Sequence, residues 1–500
     1  MELNPKSPQK HRPATEAKRT GCRRRLFRVA AVMLGLSVFA IAEGVCFVFD
    51  WGRPTDYADP FVGFSTIRRL FVLDQSGAQS EIPQSRRNFF AAESFPASKE
   101  KNTFRVFCLG GSTVQGRPFS KETSFTIWLE LSLKAADDSR DWEVVNCGGI
   151  SYASYRLVPI LQECLAYEPN LFILCTGHNE FLEEREYEHV KYASSVVKRP
   201  LEALSQFRSF TLYREALFQA TGKTSNPDVT NQRVMKAEVD ALLDYRGGLQ
   251  LYHRDEQWKA EVMRHFEHNL RHMIAIARDA GVPLMMIRPP SNLCDCPPFK
   301  SQHRDGLTPA KIREWEVLIE QAKRHYRSDL QRAIQLLKQA IEIDEEFAFT
   351  FYELGKCYET LGLREQARDV FSRAKELDVC PLRILQPMEH VMAEVAEATS
   401  TPLIDAHELL ERNCPKGILG DSLLVDHIHP TFRGHQMIAN ALTEEMARRR
   451  WVKPADDWQA KRSRAYQSHF DSIETIYFLH GLETVKALRK WTRGRVDGPP

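Results

Sequence analysis

Five short apolar runs recur along this chain, at residues 104–109, 142–145, 171–175, 283–287 and 402–404, and none of them alternates apolar with polar residues. A strand that buries one face alternates. A run apolar at successive positions is buried on both faces, which a parallel sheet sandwiched between helices provides. The segments between the runs have helical periodicity, around 124–136, 155–167 and 257–280, and a last helix follows at 434–449. This β-α-β-α-β order predicts an α/β fold, a doubly wound five-stranded parallel sheet covered on both sides.

The 500 residues leave room for more than that sheet. At 43% hydrophobic and 27% charged, the composition excludes a disordered chain, a collagen and a small disulfide scaffold. Charge is unevenly spread. Residues 1–28 carry nine Lys/Arg against Glu2 and Glu16, a net +7, which leaves −5 for everything downstream. A nucleic-acid-binding body is excluded on that balance. Residues 29–49 are apolar or small except for Ser37 and Glu43, and they follow directly on Arg23, Arg24, Arg25 and Arg28. Twenty-one helical residues span about 30 Å, enough for a transmembrane signal anchor with its basic tail in the cytoplasm. Ala40-Ile41-Ala42 also has the small-x-small form of a cleavage site. Either reading places the body outside the cytoplasm, membrane-anchored or secreted.

The expected organisation is a tail (1–28), a transmembrane helix (29–49), a connector with short strands at most (50–98), and a sheet domain in three parts (99–182, 257–310, 386–450). Two all-α insertions separate those parts, and a helical extension, basic from Lys486 to Arg495, follows at 451–500. The first insertion, 183–256, is charged and helical in tendency. It leaves a strand end, where it is placed to roof over whatever that end carries. Within the second, 311–385, Phe351, Leu354, Gly355, Tyr358, Ala367, Phe371 and Ala374 fall at tetratricopeptide spacing. Shifting back by one repeat matches Ala333, Leu337 and Ala340, but Gln321 and Arg324 occupy the Gly and Tyr positions of the helix before. One repeat and a half cannot stand alone, so these helices must lean on the host domain. They offer either a protein-partner surface or an ordinary helical hairpin.

Ligands of an open parallel sheet bind beyond the carboxyl ends of its strands. The first run ends in Gly110-Gly111-Ser112-Thr113, the second in Asn146-Cys147-Gly148-Gly149, and the third in Gly177-His178-Asn179-Glu180. Asp426-His427-Ile428-His429 follows the last. A serine hydroxyl is a poor nucleophile unless an imidazole takes its proton, and a carboxylate on the far ring nitrogen orients that imidazole. Three residues is about one helical turn, so Asp426 and His429 can face the same way. The Ser112 N–H, the Gly148 N–H and the Asn179 amide are three donors able to face a developing oxyanion. The absence of Gly-x-Ser-x-Gly around Ser112 sets aside the nucleophile elbow of α/β-hydrolases.

Gly-Gly-Ser-Thr, the Gly after the second strand, Gly-x-Asn-Glu and Asp-x-x-His resemble, in order and spacing, the four blocks of the SGNH (GDSL-type) hydrolase superfamily. The strings from Leu109 to Gly116 and from Gly177 to Leu182 also resemble exported bacterial proteins that join this domain to tetratricopeptide helices. The first block has Gly-Gly-Ser-Thr where Gly-Asp-Ser is common, and Glu180 stands where Asp is common. Both departures lie beside the acting groups. The resemblance implies strand order 2-1-3-4-5, Ser112 as nucleophile, His429 as base, Asp426 as its orienter, and Ser112, Gly148 and Asn179 in the oxyanion hole.

The expected activity is a serine esterase cleaving a carboxylic ester, such as an O-acetyl group on envelope or extracellular polysaccharide, without metal or cofactor. An O-acetyltransferase would use the same triad with a sugar hydroxyl in place of water. A non-catalytic assembly protein would act through the repeat helices alone. Asp426, His427 and His429 with His435 also admit a metal cluster. Of the eleven cysteines, Cys108, Cys147, Cys164 and Cys175 read as core. The Cys294-x-Cys296 pair admits a metal, a disulfide with Cys380 or Cys414, or packing.

Overall fold

Five parallel strands form the central sheet: β1 (Thr103–Gly110), β2 (Asp141–Gly148), β3 (Leu171–Cys175), β4 (Leu284–Arg288) and β5 (Leu403–Asp405). They are ordered β5-β4-β3-β1-β2, the 2-1-3-4-5 order expected. In the computed structural model the described residues are 61–185 and 233–493, together with 37, 39–46, 59 and 209. The described residues of 64–185 and 234–493 make up one unit, which holds the sheet, and those of 1–63 and 186–233 make up another.

The strands are apolar at successive positions because both faces are covered. Val106, Cys108, Val144, Ile173, Met285 and Ile287 enter a core with α2 (Phe125–Ala136), Ala406 of α10 (Ala406–Glu411), α11 (Phe432–Arg448) and α12 (Trp458–Ser472). The helices α3 (Ser154–Cys164), α4 (Glu256–Asp279) and α9 (Gln386–Thr399) pack together on the opposite side, where Phe107, Leu109, Phe172 and Leu174 are also buried. Strand register sets the site. Gly110 lies beside both Gly148 and Cys175, so three carboxyl ends stop at one level.

The connector is more ordered than expected. Val72–Leu73, Gln79–Glu81 and Ser94–Pro96 form a three-stranded antiparallel sheet. Phe71, Phe95, Phe107 and Tyr167 interlock edge to face, with Phe71–Phe95 centroids 4.9 Å apart. Lack of periodicity concealed this, because single buried aromatics hold the segment in place. Within the insertion at 183–256, only the described part can be set against the helical expectation, and it departs from it. Its described part after residue 235 is irregular, with 3-10 turns at Leu242–Asp244 and Gly248–Leu251. The remainder, 186–208 and 210–232, lies outside the described residues, as does the basic tail 1–28. Of the transmembrane expectation at 29–49, residues 37 and 39–46 are described and helical. Among the described residues no helix is long and apolar enough to cross a membrane.

The second insertion forms two complete helix hairpins: α5 (Pro309–His325) with α6 (Leu330–Ile343), and α7 (Ala348–Thr360) with α8 (Arg364–Glu376). The helix at Gln321 and Arg324 is present despite their mismatch, because Trp315, Ile319 and Ala322 supply its buried stripe. The hairpins lean on the host as expected. Leu293, Cys294 and Ile418 enter their core, and the Tyr352 hydroxyl donates to Cys294 O at 3.0 Å. Cys294, Cys296, Cys380 and Cys414 are all free thiols and buried, which corrects the disulfide alternative.

Candidate active site

Ser112 opens the short helix α1 (Ser112–Gln115) directly after β1, so its N–H has no intrahelical acceptor. The turn into that helix needs glycine: a Cβ on Gly111 would sit 2.6 Å from Asn179 Nδ2, and one on Gly110 would sit 2.2 Å from Cys175 O. Three of the expected site residues meet in one line. Ser112 Oγ is 2.8 Å from His429 Nε2, and His429 Nδ1 is 2.7 Å from Asp426 Oδ2. A carboxylate only accepts, so Nδ1 carries the proton, and in the neutral ring Nε2 accepts from the Ser112 hydroxyl.

Asp426 is fixed from three directions. Its Oδ1 accepts from Ile428 N and His429 N, each at 2.9 Å, while Oδ2 takes the imidazole. Burial opposes its charge, but the His429 and His427 rings and these hydrogen bonds outweigh that and hold the carboxyl well below the usual range. Burial lowers the neighbouring His427 to about 4. His435, the fourth member of the metal alternative, is engaged elsewhere. Its Nδ1 accepts from Phe125 N at 3.1 Å, and burial pushes it down to about 3.

Asn179 lies beside the turn that leads into Ser112. Its Nδ2 donates to Tyr152 O at 2.9 Å, which leaves the second amide hydrogen beside Gly111. Gly148 does not serve as expected. Its N–H donates to the Asn146 side chain at 2.9 Å, and a Cβ there would lie 2.1 Å from Gln115 N, so this glycine lets α1 pack onto the end of β2. On the same loop Ser151 stands at φ 64°, and its N–H meets no protein acceptor among the described residues. A non-glycine residue in the left-handed region carries strain and marks a position to inspect, but sequence shows only a serine.

Asn292 was also illegible in the sequence. Fully buried, it donates to Asp426 O at 3.0 Å and to Asp421 Oδ1 at 2.8 Å, and its own N–H donates to His427 O. It anchors the loop that carries the carboxylate and the imidazole. A second group of metal-ligating type, Cys294, Asp295 and Glu359, lies under the helix hairpins. Lys356 bridges Asp295 and Glu359, and Lys416 lies 2.6 Å from Glu359, so cations of the protein already face both carboxylates.

The chain matches no family model and no curated protein. Among solved structures it is similar to an acetylxylan esterase from Geobacillus stearothermophilus (12% identity, 69% of this chain and 96% of that one, TM-score 0.31). It is also similar to a lipolytic protein of the G-D-S-L family from Desulfitobacterium hafniense (10%, 68% and 98%, TM-score 0.30). A third match is a lipase/acylhydrolase from Enterococcus faecalis (13%, 71% and 99%, TM-score 0.30). With identities this low and TM-scores below 0.5, the functional reading rests on the geometry of this chain's own residues.

The arrangement has what nucleophilic acyl transfer requires. A hydroxyl is bonded to an imidazole, a carboxylate on the far ring nitrogen orients that imidazole, and N–H donors lie at two neighbouring strand ends.

Proposed function

We propose that this chain is a serine esterase of the SGNH type that hydrolyses carboxylic esters through an acyl-Ser112 intermediate. The observation that carries the reading is the continuous hydrogen-bonded line from Ser112 Oγ through His429 to Asp426. In this mechanism Nε2 takes the hydroxyl proton as Oγ attacks the ester carbonyl, and Asp426 stabilises the imidazolium. The Ser112 and Ser151 N–H groups and the free Asn179 amide hydrogen receive the oxyanion. His429 returns the proton to the leaving alcohol, then activates the water that releases the acid.

Ser112 is only 6% exposed, which favours a small acyl group, and we assign O-acetyl groups on envelope or extracellular polysaccharide as the substrate class. The basic tail and apolar stretch at 1–49 support a site outside the cytoplasm, tethered to the membrane. The test is hydrolysis of 4-nitrophenyl acetate and of acetylated polysaccharide by the full chain, set against Ser112→Ala and His429→Ala. The reading requires turnover by the wild type and a loss of at least about a thousandfold in each variant. Equal rates in wild type and Ser112→Ala would end it.

A further inference from the structure

The helix α13 (Thr475–Arg493) takes no part in the chemistry above, yet it is firmly docked. The Tyr477 hydroxyl meets Thr123 Oγ1 at 2.7 Å and accepts from Ser120 N at 3.1 Å. Phe478 packs on Phe432 and Phe470 with centroids 5.9 and 5.2 Å away, and a Cβ on Gly481 would run into the Phe119 ring. Arg489 Nε donates to Val425 O, next to Asp426. One side of the helix is therefore fixed against the elements that carry Ser112 and His429.

The other side is unusual for a helix so well seated. Ile476, Leu479 and Leu482 are 51%, 52% and 49% exposed, a quarter of the large exposed hydrophobics described. Burying the inner aromatics did not require aliphatic residues on the outer face, and a polar residue there would cost the fold nothing. Beyond them the charge is of one sign. Lys486, Arg489 and Lys490 are exposed, Arg493 and Arg495 follow in sequence, and no acid lies between 486 and 495; Glu483 is the one acid on the helix. Exposed aliphatic residues running into a basic stretch on one helix are the pattern of a segment that lies in a membrane interface, with its apolar residues among acyl chains and its cations on headgroup phosphates. The inner face is already taken, so docking needs no unfolding of α13.

We infer that α13 docks the protein onto an anionic lipid surface through Ile476, Leu479 and Leu482, with Lys486 and Lys490 on the headgroups. The juxtaposition holds the Ser112–His429 site next to the membrane surface whether or not residues 29–49 anchor the chain. A neutral surface lacks the complementary charge. A protein partner would have to offer an acidic, apolar strip of matching length, and the test separates the two.

The experiment is hydrogen exchange on the full chain, alone and with vesicles of phosphatidylglycerol or of phosphatidylcholine. Peptide-level readout separates α13 from the basic tail and from residues 29–49. Amides over 475–490 should exchange more slowly on phosphatidylglycerol vesicles, by at least about tenfold at low salt, and return towards the free rate at high salt. Each cation near such a surface contributes about a fivefold gain in partitioning, so K486Q/K490Q should remove the protection. I476S/L479S/L482S, which changes only exposed positions, should remove it as well. Unchanged exchange over 475–490 on phosphatidylglycerol would overturn the inference, as would equal protection on both vesicle types or protection that survives both variants.

Discussion

Asp426→Asn separates orientation of the imidazole from mere packing, because the replacement keeps the shape and removes only the charge and one acceptor. In the native site Oδ1 takes two backbone N–H groups and Oδ2 takes the His429 Nδ1–H. An amide has one oxygen. Two backbone donors at 2.9 Å claim it, which leaves the NH₂ facing Nδ1. The ring must then move its proton to Nε2 and point a donor at the Ser112 hydroxyl, the wrong tautomer for a base. The equivalent substitution in a Ser-His-Asp protease lowers kcat by about 10⁴, so a fall of about 10³–10⁴, or roughly 4–5.5 kcal/mol in the barrier, is expected here. The assay is steady-state kcat on 4-nitrophenyl acetate, with thermal melting as the control for folding. Stability gives a second readout with a definite sign. The Asp426 carboxyl titrates lower when folded than the about 3.9 of an unfolded Asp, so its contribution is present above about pH 4 and is lost as the pH falls through the folded value. The variant lacks that contribution, so its melting-temperature deficit should shrink on acidification. A kcat within about tenfold of wild type in a fully folded variant would refute the tautomer argument.

Gly148→Ala should destabilise the fold by about 1–3 kcal/mol in urea denaturation and lower activity, because its Cβ meets the backbone of Gln115; an unchanged midpoint would show that α1 is not packed as described. Ser151→Gly should raise stability by up to about 1 kcal/mol, since only the left-handed backbone is relieved, and should retain esterase activity because the N–H remains. Arg156→Met removes the partner of the buried Glu183 carboxylate, which also ties Asp240 N to the base of the first insertion; a loss of about 3–5 kcal/mol by urea denaturation is expected, and a loss under about 1 kcal/mol would contradict the buried pair.

The sheet was legible because burial on both faces leaves a signature no loop imitates. The run at 171–175 coincides with β3, and the runs at 104–109 and 283–287 fall within a residue of β1 and β4. Ser112, Asp426, His429 and Asn179 could be singled out because chemistry restricts the residue types that can stand at a strand end. Other features depend on where a side chain turns, and no spacing encodes that. Asn146 reaching back to the Gly148 N–H, and Asn292 reaching across to Asp426 O, look like ordinary asparagines in sequence. The left-handed Ser151 is hidden for the opposite reason: glycine would have announced the conformation, and serine does not. The sheet made by the connector was missed because Phe71 and Phe95 are held by ring contacts rather than by a repeating pattern.

Reaction of the full chain with a fluorophosphonate, followed by peptide mapping, tests the esterase assignment most directly. The adduct should form on Ser112 alone, at a rate reduced by at least about a hundredfold in His429→Ala, where no imidazole remains to take the proton. Failure of Ser112 to react in the folded protein, or reaction at the same rate without His429, would contradict it.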